Sequence, residues 1–149
     1  MEWAMEEKKG YRNKLGLMGW LSGGRYGIER YAYTLHRLTG LGILTYFIMH
    51  IFVTATRVQG QEAWESIMST LEKPFFKIGE FLVFVAFAYH ALNGIRLILT
   101  ELGVFMGKPQ LPVYPYKQST LRQRPVLIVV MILAAVVIVA GGWDFFFLK

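Results

Sequence analysis

Three long apolar stretches, almost free of formal charge, limit what this chain can fold into. Residues 38–56 run for 19 positions without an Asp, Glu, Lys or Arg, and residues 126–143 run for 18. Residues 78–103 have an uncharged heart at 81–95. A helix of about 20 such residues crosses the hydrocarbon core of a bilayer. A barrel strand is shorter and alternates, which these runs do not do. The reading is therefore an all-α integral membrane protein with three transmembrane helices. Composition agrees: over 149 residues, 54% are hydrophobic and 17% charged, where soluble domains carry about a quarter charged residues. A soluble fold of this size has too little interior to hide that much apolar surface. The same figures exclude disorder.

The division that follows is a polar, basic segment at 1–28 and a membrane domain at 29–149. Within the membrane domain, the pattern predicts a first helix over about 30–57 and a second over about 76–103. A third is predicted over about 125–146. Residues 61–72 read as a short surface helix, because Ala63, Ile67 and Leu71 recur at four-residue steps and Pro74 follows. Residues 104–124 read as an extended loop, since 108–125 holds four prolines. A removed signal peptide is not expected, because the first 28 residues lack an apolar core.

Basic residues orient the spans. Lys8, Lys9, Arg12, Lys14, Arg25, Arg30 and Arg37 precede the first span. Arg96, Lys108, Lys117, Arg122 and Arg124 cluster around the second connection. Only Arg57, Lys73, Lys77 and Lys149 fall on the other side. Twelve against four places the N-terminus and the second loop in the cytoplasm. The net charge of +6 is thus a topology signal, and no nucleic-acid partner is expected.

There is no cysteine, which removes disulfides, thiolate metal sites and c-type haem attachment. Metal chemistry is left chiefly to three histidines, His36, His50 and His90. An ionisable side chain inside a span normally faces protein, cofactor or water. His36 and His50, fourteen residues apart, lie on one helical stripe. His90 has Ala86 four residues before it and Gly94 four after. Small residues one turn each way leave a recess that suits a porphyrin or a close helix neighbour. If Arg37 and Arg96 mark the cytoplasmic boundary, His90 lies roughly 9 Å in and His50 roughly 20 Å in. Two axial ligands of one iron must be nearly level, so each of these histidines would need a partner from another chain. The plainer alternative keeps all three as helix-packing residues, with Arg37 snorkelling to phosphates. Another is a small transporter subunit using His50 and Arg37 along a proton path.

Three elements carry a family resemblance. They are T-L-H-R-L-T-G at 34–40, A-Y-H-A-L-N-G-I-R at 88–96 and E-L-G at 101–103. Together they resemble the cytochrome b membrane-anchor subunit of succinate dehydrogenase (succinate:quinone reductase, respiratory complex II). The resemblance covers residues 30–103, about half the chain.

The resemblance implies a haem-binding helix bundle shared with a second, sister membrane-anchor subunit. Such anchors do not oxidise succinate themselves. A flavoprotein subunit and an iron–sulfur subunit do so, and the anchors pass the electrons to quinone. It implies His90 as an axial ligand of haem b, and His36 with Arg37 at the haem propionates. Arg37 would also meet the quinone, where its fixed charge can stabilise the negative charge that reduction builds on a carbonyl. Many family members have a serine at the position of Tyr33. Here the phenol, or the adjacent Thr34, takes its place as quinone ligand. Leu97 stands where a histidine is common, and Glu101 where an aspartate is. His50 resembles the branch with two haems, one near each membrane face, which makes it a candidate ligand of a second haem iron. A fumarate reductase anchor and a haem-free structural anchor remain the alternatives. The expected location is a prokaryotic plasma membrane.

Overall fold

A computed structural model describes residues 27–109 and 119–148, together with Gly16, Met18, Leu111 and Val113. The reading of residues 1–28 as a cytoplasmic segment falls almost wholly outside the described residues, and that of the 104–124 loop does so at 110, 112 and 114–118. The order is α1 (Ile28–Ala55), a 3-10 turn (Thr56–Gln59), α2 (Gln61–Leu71) and α3 (Pro74–Glu101). A second 3-10 turn (Ser119–Gln123) and α4 (Arg124–Phe147) complete it. No strand occurs among the described residues. Three helices, spanning Ile28–Gln59, Pro74–Glu101 and Leu121–Phe147, are long and apolar enough to cross a membrane.

Local chemistry explains the boundaries. Gly60, at φ 110°, takes a backbone conformation that L side chains rarely adopt, and so turns the chain from α1 into α2. Pro74 is the first residue of α3, where its missing N–H breaks no helical bond. The proline that was expected to end the surface helix thus also begins the next span. At the other end of α3, Gly103 sits at φ 78°. Its N–H donates to the Thr100 carbonyl (2.9 Å) and that of Val104 to the Leu99 carbonyl (3.0 Å). This is a Schellman motif, so the glycine of the E-L-G element is a helix stop. Along α2, Ala63, Trp64, Ile67, Met68 and Leu71 form one half-buried stripe.

The central helix is α3, which packs against α1 on one flank and α4 on the other. Full burial concentrates at one end, where Ala32 and Thr34 of α1 meet Ala88, Tyr89, Asn93 and Arg96 of α3 and Leu127 of α4. There the Tyr89 hydroxyl donates to the Ala32 carbonyl at 2.7 Å. Two adjacent residues fasten the start of α4: Gln123 bonds Arg96 of α3, and Arg124 pairs with Glu29 of α1. None of the most apolar stretch of α1 is buried within the chain. In a bilayer, lipid or another subunit must cover it.

The opposite end is held by rings. Phe81 packs edge-on against Phe146 at 5.1 Å and lies 5.9 Å from Phe145. Gly141 and Gly142 of α4 make room for Phe84 and Phe81, whose rings lie where a Cβ would stand. Replacing Gly141 with alanine should therefore push the Phe84 ring out of place, at about 1–3 kcal/mol. The check is the midpoint of SDS-induced unfolding of the micelle-solubilised protein, which should fall.

Candidate functional site

The two α1 turns from Tyr33 to Gly40 and the facing stretch of α3 build a polar site at the well-buried end of the bundle. Successive helical residues are turned by ~100°, so the run Tyr33, Thr34, His36 and Arg37 points several ways. Tyr33 is exposed, Thr34 is buried, and His36 and Arg37 are half-buried. The Arg37 guanidinium lies over the Tyr33 ring, 4.3 Å from its centroid. Thr34 turns instead into the chain's interior, beside a cavity of about 260 Å³ lined also by Tyr31, Leu35, Tyr89 and Met131. Its hydroxyl has no hydrogen-bond partner among the described residues. Tyr33 and Thr34, named as alternatives for one role, therefore serve different faces of α1.

The imidazoles of His36 and His90 stack, with centroids 3.9 Å apart and planes 10° from parallel. Each ring lies against a glycine of the opposite helix. A Cβ on Gly40 would come within 2.9 Å of His90 Cε1, and one on Gly94 within 3.4 Å of His36 Cε1. The recess expected beside His90 is thus differently placed: Gly94 receives His36, and the close approach to His90 is made by Gly40. Spacing along one helix reveals small residues but not which neighbour's ring will fill the space they leave. His90 Nδ1 lies 3.1 Å from the His36 carbonyl oxygen and 3.4 Å from Thr39 Oγ1. Nδ1 of His36 is buried without a hydrogen-bond partner among the described residues.

Next to this pair runs a polar stripe that the sequence reading missed. Tyr89, Asn93, Arg96 and Thr100 recur at four-, three- and four-residue steps, one face of α3. Arg96 is 2% exposed, so this guanidinium is enclosed by protein rather than lying at a lipid boundary. Its Nε donates to Asn93 Oδ1 (2.9 Å) and an Nη to Gln123 Oε1 (2.5 Å). The Thr100 hydroxyl, which bonds the Arg96 carbonyl at 2.8 Å, shares its proton with the same Gln123 oxygen at 3.1 Å. The heptad-like spacing of four polar residues was the available signal.

His50 stands apart. It is exposed, 5.7 Å from the Tyr46 ring, and lines two adjoining cavities of about 300 and 520 Å³. Both are shared by Tyr46, Val53, Leu71 and Glu80. Glu80, a carboxylate six residues into α3, was also passed over, because it lies just outside the uncharged heart of the second span. His90 is level with His36 and Gly40, whereas His50 lies ten residues beyond Gly40 on α1. The two histidines are thus roughly 15 Å apart along the bundle. Among the described residues no group of three or more metal-binding side chains occurs.

Comparison with known proteins adds a family. Residues 14–140 match the family described as succinate dehydrogenase/fumarate reductase transmembrane subunit. A succinate dehydrogenase hydrophobic membrane anchor subunit of Halobacterium salinarum is 35% identical over 75 residues, which is 50% of this chain and 58% of that protein. The succinate dehydrogenase 2 membrane subunit SdhC of Mycobacterium tuberculosis is 27% identical over 71 residues, 48% of this chain and 52% of the other. A third relative, a hydrophobic membrane anchor subunit of Archaeoglobus fulgidus, is 27% identical over 81 residues, 54% of this chain and 69% of its own. The chain thus spans little more than half the length of the first two.

Proposed function

The chain belongs to the succinate dehydrogenase/fumarate reductase transmembrane subunit family, and from that premise we propose that it is a cytochrome b anchor of a succinate dehydrogenase. It would hold the iron–sulfur and flavoprotein subunits at the membrane together with a sister anchor subunit. Electrons would pass from the iron–sulfur subunit to quinone at the cytoplasmic end of α1. The observation that carries this reading is the stacking of His36 of α1 on His90 of α3, with Arg37 next to His36 in the chain and over the Tyr33 ring.

The residues present fit a b-type haem. A haem shared between two anchors asks one imidazole of each, so the lack of a larger ligand cluster is no obstacle. His90 Nδ1 is engaged with α1, which leaves Nε2 as the nitrogen that would donate to iron. His36, with Nδ1 buried and lacking a partner, and Arg37 would serve the propionates. Haem, when bound, supplies a one-electron store beside the quinone. A second haem on His50 extends the proposal, with the outer cavities as its place.

Toward quinone, Arg37 does the electrostatic work. Its donors would hold a carbonyl oxygen as negative charge builds there, and the Tyr33 ring beneath the guanidinium fixes its plane. Tyr33 presents its phenol on that same face, whereas Thr34 is buried beside the open pocket lined by Tyr31 and Met131. Arg37→Ala should lower kcat/KM for quinone reduction roughly 10- to 150-fold, the equivalent of a charge-assisted hydrogen bond of about 1.5–3 kcal/mol. Succinate oxidation with a soluble dye acceptor should stay unchanged. Quinone reduction at the wild-type rate would remove Arg37 from the site.

One observation favours a second reading. Stacked imidazoles that fill each other's recesses are also what a haem-free anchor would use to pack α1 against α3. Direction, succinate oxidation or fumarate reduction, depends on the soluble subunits and on the quinone.

A further inference from the structure

The contact between His90 and α1 has a chemical direction. A carbonyl oxygen can only accept, so the 3.1 Å contact with the His36 carbonyl requires the proton on Nδ1. The Thr39 hydroxyl is committed as a donor to the Leu35 and His36 carbonyls, at 2.9 and 3.0 Å. That leaves an Oγ1 lone pair facing Nδ1 at 3.4 Å. One ring proton is thereby shared between two acceptors on a single turn of α1. Nε2 must then be the unprotonated nitrogen, with its lone pair available. Gly40 permits this, since a Cβ there would press on the ring's Cε1 and Nδ1 at 2.9 and 3.3 Å but stand 3.9 Å from Nε2.

We infer that the His36 carbonyl and the Thr39 hydroxyl are positioning groups for the haem ligand: they hold the Nδ1 proton of His90, and Gly40 lets the ring reach them. The inference rests on the reading of His90 as a haem ligand. A ligating histidine whose other nitrogen donates a hydrogen bond is oriented and made a stronger donor. A stronger donor stabilises the ferric state, so these contacts lower the haem's reduction potential. The same α1 turn carries Arg37, so one helix would set both the electron store and the quinone contact.

The test uses the assembled complex in detergent and reads haem content, reduction midpoint and the low-spin ferric EPR spectrum. Four variants are needed: His90→Ala, Gly40→Ala, Thr39→Val and Thr39→Ser. His90→Ala should lower the haem content by one per complex; if the content is unchanged, the ligand reading fails and this inference with it. Gly40→Ala should keep haem but displace the ring from its acceptors. Its midpoint should rise by about a tenfold change in the reduction equilibrium, ~59 mV for one electron, with altered g values. Thr39→Val should shift both readouts the same way by less, and Thr39→Ser should restore them. Should Gly40→Ala fail to assemble, the Thr39 pair decides. Haem loss in His90→Ala, with wild-type midpoint and spectrum in Thr39→Val, would overturn the positioning role and leave the ligand reading standing.

Discussion

On the proposed haem ligation, replacing His90 with alanine should remove the b-type Soret band and the sharp reduced α-band of the purified complex, wholly or by half. The side chain lost is the imidazole whose Nδ1 is already occupied by α1 and whose Nε2, on the proposed function, would donate to iron. Among the described residues, the nearest imidazole is not placed to replace it. His36 is the nearest imidazole, but it lies against Gly94 with Nδ1 buried. Pyridine haemochrome counting gives the result as haem per complex. A fall from one to none, with His50→Ala without effect, assigns a single haem to His90. A fall from two to one in each single variant assigns one haem to each histidine, about 15 Å apart along the bundle. Full haem content in His90→Ala leaves the stacked histidines as packing residues.

Arg96→Leu should have the second largest effect, on assembly rather than on spectrum. The enclosed guanidinium donates to Asn93 Oδ1 and Gln123 Oε1. Leucine fills much of the volume but leaves the Asn93 oxygen without a donor and Gln123 with only the Thr100 hydroxyl. An abandoned buried acceptor costs about 1–3 kcal/mol, so the loss should be roughly 2–4 kcal/mol once the untied start of α4 is included. The measurement is the SDS midpoint together with the yield of folded protein. Arg96→Lys should recover only part of it, since an ammonium lacks the planar fork that spans both oxygens. Because the residues share one network, Arg96→Leu combined with Gln123→Leu should cost less than the sum of the two. Strict additivity would show that the network is not the source of the effect.

The three spans were legible because the bilayer imposes one demand that no neighbour can relax: a charge-free run of sufficient length. The α1 stripe and the separate levels of His50 and His90 followed from helix geometry alone. What escaped depended on a second helix. Arg96, at the edge of an apolar run, reads equally as a lipid boundary and as a buried anchor. Gln123, 27 residues further on, decides between them. Tyr33 and Thr34 were interchangeable until packing against α3 and α4 took Thr34 inside. Gly40 stood in the quoted T-L-H-R-L-T-G element as a letter without a task, which only the His90 ring supplies.

The stripe on α3 also bears on how the protein is made. Leaving the translocon alone, α3 would carry Asn93 and Arg96 into lipid, and a charge costs up to ~2.5–3.5 kcal/mol at mid-membrane and less toward the ends. The Arg96 bond that crosses to another helix goes to Gln123, at the threshold of α4. Emerging sequentially, α3 is therefore the helix with reason to wait in the channel mouth until α4 is synthesised, so that the two enter the bilayer as a hairpin. The Gln123–Arg124 step, joined to both older helices, is the stitch that closes it.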